Sequence, residues 1–368
     1  MRVLTRVIAR LELGGTQLGI LRLASPFAKR GIRTVVLAGE ATPECVRLFS
    51  DARIPVEVWG GENSLQYACS DGFAEWLRPR LESADLVHAH MFGGWWAAAH
   101  AVGDRATLVA SEHNALQWPD APRLAEMRQA LKRVDAFFVH GPATRWVIRR
   151  LSFPPERTHP GRSPIDVPPH WQARMRAASP GRATVLFAGR LHDEKGPDLL
   201  VDALARLRSR AECILLGTGR QEDALRRRVE RLGLSRCVEM PGWQPDVGCW
   251  MDAADLVVVP SRYESWSQTA VTAMAHGVPV VATNVEGLPT TLAEGRGILV
   301  PAEDPVALAR AIDEVLTGVR RPDLAAARRY AERFMADRVA GYYDAVYERV
   351  AEPRDRATEQ SVPLQQAA

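Results

Sequence analysis

The sequence predicts an α/β protein built from two doubly wound, Rossmann-like lobes that face each other. Three observations carry that prediction. The chain has 368 residues and is 46% hydrophobic; at ~100–200 residues per domain this length makes about two domains, each able to bury its own core. Short β-branched runs alternate with helical patterns along the chain, the signature of βαβ units around a parallel sheet. One stretch, 152–182, breaks the rhythm with seven prolines from Pro154 to Pro180, and so reads as the connection between the lobes.

Taken in order, strands are expected near 1–9, 33–38, 55–59, 85–89, 107–111 and 136–140, then near 184–188, 212–216, 237–240, 255–259, 279–282 and 298–300. Helices fall between them. Leu199, Leu200, Ala203, Leu204 and Leu207 share one helical face, as do Leu225, Val229 and Leu232 before a stop at Gly233. Residues 323–350 are helical again, with Tyr330, Phe334, Tyr342, Tyr343 and Tyr347 available for packing. The domain plan is a first lobe at 1–163, a linker at 164–182, a second lobe at 183–335, a helix at 336–350, and a polar, disordered tail at 351–368.

Composition removes several classes. A net charge of +3 with 25% charged residues fits neither a disordered nor a collagen-like chain. The five cysteines are few, odd in number and never in a Cys-x-x-Cys pair. That argues against a disulfide framework or structural zinc and for a reducing, cytoplasmic setting. Arg2, Arg6, Arg10 and Glu12 interrupt the first apolar run before a signal-peptide core forms, and no run approaches the ~20 residues that span a bilayer. Arginines number 44 against three lysines (Lys29, Lys132, Lys195). They are interspersed with acids, so nucleic-acid binding is not implied. Arg145, Arg149 and Arg150 read as a solvated helix face rather than a lipid contact.

Ligands of doubly wound sheets bind outside the carboxyl ends of the strands, and the notable residues follow predicted strands. After 184–188 come Gly189, Arg190 and, five residues on, Lys195-Gly196-Pro197 at a helix start. An arginine fork, a compact ammonium and a helix N-terminus together suit a phosphate; the same loop also reads as two surface cations neutralised by Asp193 and Glu194. In the first lobe, Gly14-Gly15-Thr16 offers backbone N–H groups before a helix. It lacks the Gly-x-Gly-x-x-Gly spacing of dinucleotide sites. After 255–259, Glu264 precedes Trp266, Ser267 and Gln268 at another helix start, either as a cap or as an acceptor for sugar hydroxyls beside donating amides.

Gly-Arg-x-x-x-x-Lys-Gly after one strand, Gly217-Thr-Gly219 after the next, and Ser261-x-x-Glu264 running into Ala273-Met274-Ala275-x-Gly277-x-Pro279 resemble nucleotide-sugar glycosyltransferases. The resemblance is to the large retaining family 4 with the GT-B fold, two Rossmann-like lobes across a cleft with a C-terminal helix crossing back to the first. It implies that Arg190 and Lys195 hold the donor diphosphate, with Gly15 and its neighbour Thr16 opposite and Gly189, Gly217 and Gly219 shaping the site. Glu264 and the amides of Trp266, Ser267 and Gln268 would bind the transferred sugar, and His113 would face it; by itself His113 reads as a strand-end structural histidine. The second glutamate usual in the family, eight residues after the first, is here Thr272, and the later Gly-Gly-x-Pro-Glu pattern ends in Thr290.

Implied chemistry is transfer of a hexose or N-acetylhexosamine from a nucleotide-diphosphate sugar, a UDP-sugar favoured, with retention and without a cofactor or metal, as no Asp-x-Asp follows a strand. Same-face displacement is the implied route; double displacement would need a nucleophile, for which Glu112 is the candidate. The acceptor is expected on the first lobe, near His88, His90, Trp95, Trp96, Glu112, Asn114 and Trp118, where exposed tryptophans would stack on a ring and buried ones would be core. A small soluble acceptor such as a cyclitol or natural-product scaffold is preferred over a lipid-linked or polysaccharide one, the enzyme acting as a monomer or homodimer. A catalytically silent sugar-nucleotide binder, an epimerase or a phosphorylase remain the alternatives.

Overall fold

The computed structural model describes residues 2–113, 121–167 and 183–351. Two parallel sheets organise it. The first contains β1 (Arg2–Leu11), β2 (Ile32–Ala41), β3 (Val56–Val58), β4 (Leu86–His90), β5 (Thr107–Glu112), β6 (Ala136–Val139) and β7 (Thr158–Pro160) in the order β3-β2-β1-β4-β5-β6-β7. The second contains β8 (Ala183–Ala188), β9 (Ala211–Leu216), β10 (Val238–Gly242), β11 (Leu256–Val259), β12 (Val280–Thr283) and β13 (Ile298–Val300) in the order β10-β9-β8-β11-β12-β13. Twelve of these strands lie where the β-branched runs place them. The exception is β7, inside the proline-rich segment. It is a three-residue edge strand pairing with β6 through Thr158 and His159, and an edge tolerates proline because no further strand needs its N–H.

Both sheets are buried on two faces, as parallel sheets require. In the first, Leu4 packs with Phe27, Phe138, Tyr343 and Tyr347 on one side, and Val7 and Ala9 pack with Trp95, Phe92 and Phe137 on the other. In the second, Leu199, Leu200, Ala203 and Leu204 are all buried, as are Leu225 and Val229. Leu207 is not on that face, because the helix stops at Leu204, and it is only partly buried. Leu232 is not buried either: it caps its helix and is 36% exposed, because the helix ends at Arg231 and the face it would continue has run out.

The strand order reverses at β1/β4 in the first sheet and at β8/β11 in the second. A crevice opens at such switch points, and the loops carrying most of the candidate residues leave from those strands or their neighbours. The C-terminal helix, Ala336–Ala351, lies against the helix Gly15–Lys29 of the first lobe. Arg2 pairs with Asp344 at 2.7 Å, and the Phe27 and Tyr347 rings sit 6.2 Å apart. Where the chain passes between lobes, Ile165 N–H donates to Phe334 O at 2.9 Å and Ile165 bridges Met335 in parallel. Most of the expected linker, 168–182, and nearly all of the expected tail, 352–368, lie outside the described residues.

Candidate functional site

The second-lobe half of the site is two loops docked on each other. The loop after β8 turns through Gly196, whose φ is +62°; a Cβ there would lie 2.1 Å from Pro260 O, so only glycine brings the two loops together. Gly217 plays the same part between β9 and the β8 loop: its φ is +131°, and a Cβ there would lie 1.9 Å from Gly189 O. Gly189 itself has room for a side chain, its nearest neighbour being Phe187 at 3.4 Å. The β11 loop then donates Arg262 N–H to Glu194 O at 2.9 Å, and the Arg262 guanidinium grips Asp198 through both oxygens at 2.8 Å each. That fork holds the Asp198 carboxyl below its usual range against the opposing effect of its burial.

This docking brings Lys195 Nζ to 2.8 Å from Glu264 Oε2, with the side chains 24% and 10% exposed. The pair lines a cavity with Gly189, Ser261, Thr269, Phe187 and Val259. Thr269 fixes one wall by donating to Ala188 O at 2.8 Å. Arg190 is more exposed and pairs with Glu194 at 3.1 Å. Beyond the helix start, Ser267 Oγ accepts from Ala270 N–H at 3.2 Å as an N-cap, and Trp266 packs on Phe334, 4.8 Å between centroids. These two side chains therefore build the turn at the start of helix Gln268–Ala275.

Glu286 was overlooked by sequence reasoning. Its Oε2 accepts the Glu264 N–H at 2.8 Å, while Gly287 N–H donates to Glu264 O at 3.0 Å. The loop after β12 thus clamps the Glu264 peptide from both ends. The signal was its place at the carboxyl end of a strand beside the switch point. Thr272 lies one helical turn beyond Gln268 and is partly buried; Thr290 is exposed.

The first lobe contributes a second cavity, lined by Gly15, Thr16, His90, His113, His140 and Arg162 among others. The two lobes meet at Gly15, where a Cβ would lie 2.9 Å from Gln268 Oε1, and at Pro164, whose carbonyl accepts from Gln268 Nε2 at 3.1 Å. Trp95 and Trp96 do not offer stacking faces: they are 0% and 4% exposed in a helix, Phe92–Ala101, that is apolar all round and therefore enclosed. Glu112 is 0% exposed; it accepts His113 N–H at 3.0 Å and faces Trp95 Nε1 at 3.4 Å. Asn114 and Trp118 lie outside the described residues.

Among the described residues no group of three or more His, Cys, Asp or Glu side chains is arranged to hold a metal ion. No described helix is long and apolar enough to cross a membrane.

Two family models match the chain. "Glycosyltransferase Family 4" covers residues 13–167 and "Glycosyl transferases group 1" covers 182–318. A D-inositol 3-phosphate glycosyltransferase of Jonesia denitrificans is 33% identical, over 72% of this chain and 72% of that one; one of Streptomyces scabiei is 29% identical over 91% and 86%. Among solved structures, Anabaena Alr3699/HepE in complex with UDP superimposes with a TM-score of 0.77 at 24% identity, covering 95% of this chain and 100% of that one. Sucrose-phosphate synthase of Thermosynechococcus elongatus gives 0.76 at 20% identity, covering 95% and 99%.

Proposed function

Because the chain belongs to glycosyltransferase family 4 and is a nucleotide-sugar glycosyltransferase of the GT-B type, we propose that it moves a hexose or N-acetylhexosamine from a UDP-sugar to a hydroxyl of a small cyclitol-type acceptor, with retention. The observation that carries this reading is the Lys195–Glu264 pair at the second-lobe switch point, 2.8 Å apart beside a cavity. A diphosphate arriving there gives Lys195 a stronger partner than one carboxylate oxygen. Glu264, released, accepts from sugar hydroxyls. Arg190, at the rim, turns from Glu194 to the phosphates.

The donor C1–O bond breaks toward an oxocarbenium-like state while negative charge grows on the departing diphosphate. Cations already in place there act where charge develops. The acceptor oxygen attacks C1 from the same face, and its proton passes to the leaving phosphate oxygen. Glu112, enclosed and committed to local N–H groups, makes the double-displacement route the less favoured one. The cyclitol acceptor is supported by the relatives named D-inositol 3-phosphate glycosyltransferases, and Arg190 and Lys195 supply the charge that a metal otherwise would.

A thermal-shift panel of UDP-, GDP- and dTDP-sugars, followed by transfer to D-inositol 3-phosphate with the product anomer read by NMR, tests the reading. UDP-sugars should raise Tm, and transfer should retain configuration and persist in chelator. Arg190→Ala and Lys195→Ala should each lower kcat by about a hundredfold or more with unchanged circular dichroism. Near-wild-type turnover in both variants removes the diphosphate assignment; an inverted product removes the mechanism.

A further inference from the structure

Part of the first-lobe cavity wall is a chain of polar side chains, Arg6, His90 and His113, that continues into the core through His88. Arg6 sits mid-strand in β1 and is 1% exposed. Its Nη1 lies 2.7 Å from His88 Nδ1 and 3.0 Å from His90 Nε2. His90 Nδ1 lies 3.2 Å from His113 Nε2. On the other branch His88 Nε2 lies 2.6 Å from Ser111 Oγ, and Tyr347 OH lies 2.6 Å from His88 Nδ1.

A guanidinium only donates and keeps its proton. Each ring nitrogen facing Nη1 must therefore present a lone pair. His90 then carries its proton on Nδ1 and donates it to His113 Nε2, so the proton of His113 sits on Nδ1. By the same logic His88 carries its proton on Nε2 and donates to Ser111. Burial first, then the Arg6 charge and the neighbouring rings, keep His88 and His90 well below the usual histidine range; His113 is lowered by burial first, then by His140, His90 and Arg6. No imidazolium interrupts the chain near neutrality. Arg6 Nε and Nη2 are buried with no hydrogen-bond partner among the described residues, a cost an apolar residue at this core position would not carry.

We propose that Arg6 is a positioning residue that acts through His90 to fix His113 as its Nδ1–H tautomer, so that His113 offers the donor sugar a hydrogen-bond donor and does not take the acceptor proton. With Nε2 committed to His90, the neutral ring has no lone pair left to act as base, and the proton goes to the leaving phosphate. This rests on the glycosyltransferase reading above and on His113 facing the donor sugar, as the family resemblance implies.

The test is long-range proton–nitrogen NMR on the full chain labelled with 15N-histidine, His113 being assigned by the signals lost in His113→Gln. In the wild type, His113 should be protonated on Nδ1 alone throughout the neutral range. In Arg6→Met the Nε2–H form should appear, and kcat should fall about tenfold, the worth of one hydrogen bond of ~1.4 kcal/mol, with the KM for the UDP-sugar unchanged. Arg6→Lys, which keeps a buried donor, should restore part of both. An Nε2–H His113 in the wild type overturns the proposal, as does an unchanged tautomer in folded Arg6→Met. If that variant does not fold, His90→Phe cuts the same link with Arg6 in place and should give the same spectral change. Wild-type turnover in His113→Gln, with the expected tautomer present, removes the role of His113 at the sugar while the relay stands.

Discussion

Lys195 and Arg6 show what a residue's neighbours in sequence reveal and what they hide. Lys195 follows a β-branched strand and precedes a helix, so its position beside a ligand crevice is readable from local pattern alone. Arg6 reads locally as a charge interrupting an apolar run. Its burial depends on lone pairs from His88 and His90, more than eighty residues away, which β1–β4 pairing brings opposite it. Trp95 and Trp96 were readable in principle, because the all-round apolar pattern of their helix already says enclosure. The histidine cluster has a consequence for stability. Burial lowers His88, His90 and His113, and pushes His140 down from 6.5 to about 3. Below 6.5 the unfolded chain binds protons that the folded chain refuses, so this stability is complete above 6.5 and is lost as pH falls through that value. Each histidine contributes a slope of up to about 1.4 kcal/mol per pH unit. Urea midpoints should therefore drop between about pH 6.5 and 5, before ordinary carboxylates titrate; a flat profile over that window contradicts the buried neutral cluster.

At the scale of elements, the strand-to-helix loops carry the site, and their docking carries the loops. Twelve strands were legible because β-branched runs bounded by turn residues are a local signal. The seventh strand of the first sheet was not, since Thr158–Pro160 has no run of its own and is defined only by what it pairs with. Glu286 was likewise hidden: its contact with the Glu264 amide joins loops from adjacent strands, β11 and β12. Gly196 allows the docking to be tested against a control. Gly196 and Gly233 both have left-handed φ, +62° and +70°, but a Cβ at Gly233 meets nothing within 4 Å. Gly233→Ala should cost only the conformational penalty of roughly 1 kcal/mol, with activity intact. Gly196→Ala must also push Pro260 away from the β8 loop. It should cost about 2–4 kcal/mol and lower kcat by separating Lys195 from Glu264. Equal stability and activity in the two variants would show that the docking does not set the site.

The whole molecule is two lobes whose facing loops share one cleft, and its last helix belongs spatially to its first lobe. Val339, Tyr343, Val346, Tyr347 and Val350 are buried along that helix. At roughly 1.5–3 kcal/mol per large apolar side chain, their loss approaches the entire stability of a typical domain. A chain ended at Met335 should therefore unfold its first lobe while the second still melts cooperatively, giving one calorimetric transition where the full chain shows the first lobe as well. A native-like melt of the shortened chain would mean that the helix is an ornament. The two-lobe plan was visible in length and alternation. The return of the helix was not given by periodicity, because an amphipathic face does not say which lobe it will meet.

The side-by-side passage of the chain at Ile165 and at Phe334–Met335, joined by a 2.9 Å backbone hydrogen bond and a parallel bridge, has a mechanical consequence. Two bodies tethered by a single strand swivel about any axis. Tethered by two adjacent strands bonded to each other, they resist torsion and keep one easy degree of freedom, bending about the ribbon. The ribbon thereby fixes the orientation in which Gly15 faces Gln268 across the cleft.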